Sequence, residues 1–234
     1  MLGSSHGAQG FNPKHYPLRA FNLASTSQDL YTMNRLWRLY RDRLPQLKEV
    51  IVFHSVFSPG FEINKGKKGE LCAVLTHFYG IPYPDQKVAQ YRRALNRRIR
   101  QDARAGAPPP ADCDGYVPVG ASGRSADASV RVAPHLRENK RRPDQTHWLE
   151  EVLADCRRRG IRARIVIPPA RSDYNALISE PDSRLFAGLL RLKKRMAFDL
   201  HNFRTSPDFT AADFLDSDHL NGAGAVRLTR MLAE

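Results

Sequence analysis

The sequence lacks the features that would place it in a membrane or in a disulfide-stabilised scaffold. Its longest apolar runs, Val50–Phe53 and Ile165–Ile167, are far shorter than the ~20 residues that span a bilayer. Its three cysteines, Cys72, Cys113 and Cys156, lie far apart and form no Cys-x-x-Cys or Cys/His cluster. The sequence therefore predicts no transmembrane segment, and it suggests neither a disulfide framework nor a zinc site.

Acidic residues are also scarce relative to basic ones. The 234 residues include 24 Asp and Glu against 37 Lys and Arg, which gives a formal net charge of +13. A hydrophobic content of 41% with 9% aromatics nevertheless supports a packed core, and this excludes wholesale disorder. The length suits one large domain, or one domain with a sizeable insertion.

Short apolar segments alternate with helical patterns, which is typical of βαβ units and a parallel sheet. The predicted strands are Arg19–Leu23, Glu49–Ser55 and Arg162–Ile167. The predicted helices run from the Ser25–Gln28 capping box to Pro45, from Trp148 to a left-handed cap at Gly160, over Ser183–Phe198, and over Gly222–Leu232. The fold class is therefore α/β with a short parallel sheet.

Residues 60–143 interrupt this pattern and are interpreted as an insertion into a domain formed by residues 1–59 and 144–234. The spacing predicts a basic amphipathic helix over Lys87–Arg104. Residues 105–143 are rich in Pro, Gly, Ala, Ser and Arg, so a long mobile loop is expected there.

Two segments at opposite ends of the chain carry residues suited to catalysis. Gly3-Ser4-Ser5 is a small-residue turn, and Asp216 precedes His219 by three positions in a single loop. A serine hydroxyl needs a base to remove its proton, and that base needs a carboxylate to hold its tautomer. In an open parallel sheet such segments meet at one edge, so a Ser-His-Asp site is predicted there.

These segments resemble the first and last blocks of the SGNH (GDSL-type) serine hydrolases. The first block is a Gly-Ser-Ser turn, matched by Gly3-Ser4-Ser5, and the last is Asp-x-x-His-Leu-Asn-x-x-Gly, matched from Asp216 to Gly224. The resemblance implies a three-layer α/β/α fold. It also implies that Ser5 is the nucleophile, His219 the base and Asp216 the orienting carboxylate. Asp218 is the alternative carboxylate, which the spacing disfavours.

The middle blocks of the family match less well. Asn22 is kept from the second block, but Ser27 stands where a glycine would donate an amide to the oxyanion. The third block, Gly-x-Asn-Asp, is missing after the second predicted strand, and its Asn donor is replaced by His54, by Ser55 or by nothing at all. Ser27, Asn22, His54 and Ser55 are therefore the candidate oxyanion or substrate-binding residues, with Asn22 favoured as a turn former.

The resemblance implies hydrolysis or transfer of a small acyl ester, most simply acetyl, with a carbohydrate or cell-envelope polysaccharide as substrate and no organic cofactor. Branches of the family that act on acetylated polysaccharides share the Gly-Ser-Ser block and lack a clear third block. A metal site made by His6, His54, His219 and Asp216 is disfavoured, because the spacing matches no regular ligand pattern. Arg171 and Tyr174 are candidate substrate contacts, with an ordinary loop as the simpler reading.

The alternative is a non-catalytic binding protein on a degenerate hydrolase scaffold. The Arg92–Arg104 stretch would then bind an anionic polymer or membrane surface, whereas nucleic acid is disfavoured because no fold signature supports it. No secretory signal is found, which favours a cytoplasmic location. Only two residues precede Gly3, so the start is expected to be truncated, and this weakens the argument about location.

Overall fold

The structure, a computed structural model, describes residues 1–65, 69–84, 87–104, 113–120, 127–140 and 144–234. Over these residues it is a mixed α/β fold with a three-stranded parallel sheet in the order β1-β2-β3. The strands are β1 (Glu49–Phe53), β2 (Arg162–Ile167) and β3 (Asp199–Asn202). Val52 pairs with Ile165, and Ile165 pairs in turn with Leu200.

Eight α-helices lie in the described ranges. They are α1 (Ser5–Gly10), α2 (Leu30–Tyr40), α3 (Gly69–Tyr79), α4 (Lys87–Arg104), α5 (Ala128–Lys140), α6 (Thr146–Arg158), α7 (Ser172–Lys193) and α8 (Gly222–Met231). Of the helices that could be searched, none combines the length and the apolar character needed to cross a bilayer.

Side chains that alternate along the strands contribute to two separate apolar clusters. Val50 and Val52 of β1 pack with Ile165 and with buried residues of α2, α6 and α7. Ile51 and Phe53 pack instead with Val166, and the rest of that cluster comes from the ends of α1 and α8 and from the loop before α8. Both faces of the sheet are therefore covered.

Several sequence predictions are confirmed. Strand β2 and helix α4 have the expected bounds, while β1 ends at Phe53, two residues early. Gly160 has a φ of +65° after α6, as expected for a left-handed cap. Helix α2, however, is capped by Asp29, whose Oδ1 accepts the Thr32 amide at 2.8 Å.

The predicted strand Arg19–Leu23 is wrong. The amide of Leu23 donates to the Met1 carbonyl at 2.9 Å, but no regular ladder forms, because the Asn22 side chain turns the backbone by accepting the Ala24 amide. Strand β3 is absent from the predictions. It contains one apolar residue, Leu200, so no buried run marks it.

Helix α7 begins at Ser172, eleven residues before the predicted start, and it contains Pro181. It also ends at Lys193, so Phe198 lies outside it. The prediction of a start at Ser183 is therefore wrong. Pro181 stands two residues before that position, and the helix continues through it.

Helix α5 lies within the segment expected to be a loop. Its Ala128 and Val132 are buried in the larger apolar cluster, and Leu136 packs against that cluster. Their spacing of four residues was the available signal for a helix face in an otherwise polar stretch. The rest of the predicted loop is described only at 113–120, where Val117 donates to the Ala8 carbonyl at 2.9 Å.

Candidate active site

The first site segment is held at the carboxyl edge of the sheet beside β1. Leu2 donates to the Ile51 carbonyl and accepts from the Phe53 amide, both at 2.9 Å. Gly3 follows with a φ of +141°, and a Cβ there would lie 2.8 Å from the Phe53 Cβ and 2.9 Å from its carbonyl oxygen. This close approach requires glycine, and it directs Ser5 to the start of α1.

The three predicted triad residues meet at this edge. Ser5 Oγ lies 2.8 Å from His219 Nε2, and His219 Nδ1 lies 3.0 and 3.1 Å from the two oxygens of Asp216. A carboxylate only accepts, so Nδ1 carries the proton, and Nε2 is left to accept from the Ser5 hydroxyl. This is the tautomer that a general base needs.

Asp216 is fixed by its own loop. Its Oδ1 accepts the backbone amides of Asp218 and His219 at 3.0 and 2.8 Å. Burial favours the neutral acid, but the hydrogen bond from His219 and these amides outweigh it, so the pKa of Asp216 is lowered. Asp216 is therefore a carboxylate at neutral pH, as the triad requires.

Arg131 of α5 also reaches the site. Its Nε donates to Asp218 Oδ1 at 2.8 Å and its Nη2 to Oδ2 at 3.2 Å. Nη2 is also 3.2 Å from His219 Nδ1, but both are donors while His219 bonds to Asp216, so that contact is not a hydrogen bond. Nothing in the sequence distinguished Arg131 from the other arginines of 60–143.

A second hydrogen-bonded series of side chains, Ser55–His6–Asp218, lies behind the triad. His6 Nε2 is 2.8 Å from Asp218 Oδ2, and His6 Nδ1 is 2.8 Å from Ser55 Oγ. The His6 ring stacks on His219, with centroids 4.6 Å apart and planes 11° apart. Ser55 is thus engaged in the interior and is 2% exposed, so it faces no substrate.

The other predicted oxyanion residues have different positions. Asn22 does not serve as an oxyanion donor, because its Nδ2 donates both hydrogens to the Gly7 and Phe11 carbonyls at 2.9 Å. It is the turn former that the sequence favoured. Ser27 is half-buried with a φ of +58°, the left-handed conformation that a glycine at this position would adopt readily.

His54 is 1% exposed, and the hydrogen-bond contact of its ring, at 3.4 Å, is with the Ser55 carbonyl. It lines an open cavity of about 840 Å³ between α6, α7 and the segment after β1, and Ser5, His219 and Asp216 do not line that cavity. Burial lowers the pKa of His54 to about 4, so it is neutral at physiological pH. His54 therefore does not replace the missing third-block donor beside Ser5.

The two candidate substrate contacts after β2 are both engaged within the protein. Arg171 pairs with Asp173, its neighbour in the first turn of α7. Tyr174 is buried, and its hydroxyl lies 2.7 Å from His135 Nδ1 of α5. Tyr174 therefore holds α5 against α7 beside the site.

Three ligand-type side chains, His6, Asp218 and His219, have nitrogen and oxygen atoms within 4.8 Å of one another. His6 and His219 belong to the set that the sequence offered for a metal, whereas His54 and Asp216 are not part of this cluster. The guanidinium of Arg131 already bonds to both Asp218 oxygens, so a bound cation would have to displace it. The arrangement fits a hydrogen-bonded network better than a metal centre.

Comparisons with known proteins identify no relative. No family model, no curated protein and no solved structure matches the chain. The candidate site therefore rests on its own geometry.

Gly3→Ala tests whether the close approach to β1 positions the nucleophile. The added Cβ meets the Phe53 backbone and the positive φ is unfavourable, so a loss of about 1–3 kcal/mol in unfolding free energy is expected, together with slower ester hydrolysis. Denaturant unfolding and p-nitrophenyl acetate hydrolysis measure the two effects. Gly120→Ala, where the new Cβ meets nothing within 4 Å, is the matched control. Equal behaviour of the two variants would contradict the role given to Gly3.

Acid is expected to destabilise the fold through its buried histidines. Burial lowers the pKa of His6 and His54 from 6.5 to about 4, and that of His135 to about 3. The unfolded chain therefore binds protons below pH 6.5 that the folded chain does not, and the unfolding free energy falls as the pH drops from 6.5 towards 4. The limiting slope is about 1.4 kcal/mol per pH unit for each histidine.

Urea unfolding across this pH range measures that slope. His54→Gln should reduce it, whereas His77→Gln, which changes an exposed side chain, should leave it unchanged. A free energy of unfolding that stays constant between pH 7 and 4.5 would show that these histidines are not buried in the neutral form.

Proposed function

We propose that this protein is a serine-dependent enzyme that hydrolyses or transfers a small acyl ester, most simply an acetyl ester. One observation carries the proposal: the unbroken chain from Ser5 Oγ through His219 to Asp216, with contacts of 2.8 and 3.0 Å. Ser5 is half-buried at the surface, while His219 is 6% exposed. The serine is thus accessible and its base is shielded.

The reaction proceeds in two steps. Ser5 Oγ attacks the ester carbonyl carbon while its proton passes to His219 Nε2, and the carbon–oxygen bond to the alcohol breaks as that proton passes to the leaving oxygen. Water or an acceptor hydroxyl then attacks the acyl-Ser5 ester by the same path in reverse. The Asp216 carboxylate stabilises the imidazolium in both steps.

The oxyanion formed in each step needs hydrogen-bond donors. We assign this role to the backbone amides of Ser5 and Ser27. The Ser5 amide lies in the first turn of α1, where no intrahelical partner exists. Ser27 replaces the glycine of the second block with the same type of amide donor, and its positive φ is consistent with that replacement.

An SGNH-like architecture is part of this proposal. A parallel sheet covered on both faces is compatible with the three-layer α/β/α arrangement of that family. In that family the nucleophile follows the first strand and the base precedes the last helix. Here His219 precedes α8, and Leu2, bridged to Val52 of β1, stands where that first strand would end. The family's activity on acetylated carbohydrates makes an acetylated glycan, including a cell-envelope polysaccharide, the proposed natural substrate.

Acetate release from an acetylated oligosaccharide tests this substrate class. We expect acetate in water alone, or acetyl transfer when an acceptor oligosaccharide is added, and mass spectrometry of the products separates the two. p-Nitrophenyl acetate serves as a simple reporter ester. If the purified protein turns over neither the reporter nor the oligosaccharide, in the presence or absence of an acceptor, the proposed activity is contradicted.

A second candidate function is binding of an anionic polymer or membrane surface through α4. Val88 and Tyr91 fix this helix against the core, and its arginines at 92, 93, 97, 98, 100 and 104 are exposed. The described ion pair on this surface is Arg98–Asp102. Binding to heparin that weakens steeply with salt, in a protein without esterase activity, would favour this function over the enzyme.

A further inference from the structure

The buried hydrogen-bonded series Ser55–His6–Asp218 contains the same residue types as the triad, but its histidine ring has the opposite orientation. In the triad, His219 faces serine through Nε2 and the carboxylate through Nδ1. In the second series, His6 faces Ser55 through Nδ1 and Asp218 through Nε2. The two rings are stacked nearly parallel, so the second series supports the catalytic base directly from behind.

His6 has one defined protonation state in this position. Asp218 only accepts, so His6 Nε2 carries the hydrogen, and Nδ1 accepts from the Ser55 hydroxyl. Burial, reinforced by the nearby His219, lowers the pKa of His6 to about 4. His6 is therefore neutral, and the hydrogen that it offers to Asp218 is permanent near neutral pH.

Asp218 needs such a partner because it competes with Asp216. Its Oδ1 lies 3.7 Å from His219 Nδ1, against 3.0 Å for Asp216 Oδ2. Although burial opposes ionisation, the hydrogen bond from His6 and the contacts with Arg131 hold the pKa of Asp218 well below its usual value. Both Asp218 oxygens are thereby occupied by donors other than His219.

We propose that His6 is a positioning residue for the catalytic base. Its Nε2–H holds the Asp218 carboxylate, and its ring face holds the ring of His219. His219 consequently keeps its Nδ1–H on Asp216 and its Nε2 lone pair on Ser5. This inference rests on the proposed function for its kinetic consequence, but the Nδ1–H hydrogen bond of His219 can be observed without any substrate.

The test compares two substitutions that each place an amide group near one of the two ring nitrogens of His6. His6→Gln places an amide donor where Nε2 stood, so it retains the bond to Asp218, whereas His6→Asn places its amide near Nδ1 and loses that bond. For p-nitrophenyl acetate we expect His6→Asn to lower kcat by about 10²-fold with little change in KM. The kcat of His6→Gln should be at least about tenfold higher than that of His6→Asn.

Ring-nitrogen NMR with ¹⁵N-labelled histidine provides the second readout. Wild type and His6→Gln should share one sharp Nδ1–H signal of His219, and His6→Asn should show that signal shifted or broadened, because the ring is no longer held on Asp216. Thermal unfolding establishes that each variant is folded. If His6→Asn does not fold, His6→Gln decides alone, because loss of its Nδ1–H signal would overturn the proposal.

The two proposals fail in different ways. If the proposed function is wrong, the wild-type protein does not turn over the ester, and the Nδ1–H signal of His219 still decides the role of His6. If the role of His6 is wrong, the wild-type protein is active, and both His6 variants match it in kcat and in the Nδ1–H signal of His219.

Discussion

Ser5→Ala is expected to lower kcat/KM for p-nitrophenyl acetate by at least about 10³-fold. The substitution removes the oxygen that attacks the carbonyl and that lies 2.8 Å from His219 Nε2. The residual rate should come from substrate binding and the oxyanion site alone, because neither contains the Ser5 hydroxyl. Initial rates at several substrate concentrations, corrected for spontaneous hydrolysis, measure the effect.

Ser183→Ala is the matched control for this prediction. Ser183 is exposed on α7, and its hydroxyl donates to the Ser179 carbonyl within its own helix, so its removal should leave turnover unchanged. Unfolding curves for both variants show whether the fold is intact. If Ser5→Ala retains the wild-type rate, hydrolysis occurs at another nucleophile and the assignment of Ser5 is wrong.

Asp216→Asn is expected to lower kcat by about 10⁴-fold. An asparagine amide has an N–H₂ group that favours the other tautomer of His219, in which Nε2 carries the proton and cannot accept one from Ser5. The substitution also removes the negative charge that stabilises the imidazolium. Single-turnover kinetics with the reporter ester separates the loss of acylation from any effect on substrate binding.

Asp208→Asn, at an exposed position in the loop before the site, is the control and should retain activity. The same experiment decides between the two aspartates that the sequence offered. If Asp216→Asn loses less than about tenfold, Asp216 does not orient the base, and Asp218 at 3.7 Å becomes the better assignment.

Where the sequence predicted the fold well, the reason is local. Strands β1 and β2 contain the apolar runs Val50–Phe53 and Ile165–Ile167, and α4 and α8 have clear boundaries in their composition. Strand β3 lacks such a run, and it is defined by pairing with β2 rather than by its own residues. Tertiary pairing of this kind leaves no periodic pattern in the sequence.

The residues of the candidate site also divide into those that local motifs predict and those that only tertiary contacts define. Ser5, His219 and Asp216 could be predicted because short motifs place them at turns whose positions the sheet determines. Arg131 and His6 could not, because their roles depend on contacts across 87 and 212 residues of chain. The stretch around Arg131 has the composition of a loop, and His6 follows the nucleophile directly, where a turn residue is the simplest interpretation.

Labelling by a fluorophosphonate probe, followed by peptide mapping with mass spectrometry, tests the central claim most directly. The activated oxygen should attack phosphorus and displace fluoride, which leaves one organophosphoryl group on the wild-type protein. The account predicts that this group is on Ser5 and that labelling is lost in Ser5→Ala. An adduct on any other residue, or no adduct on a folded protein, would contradict it.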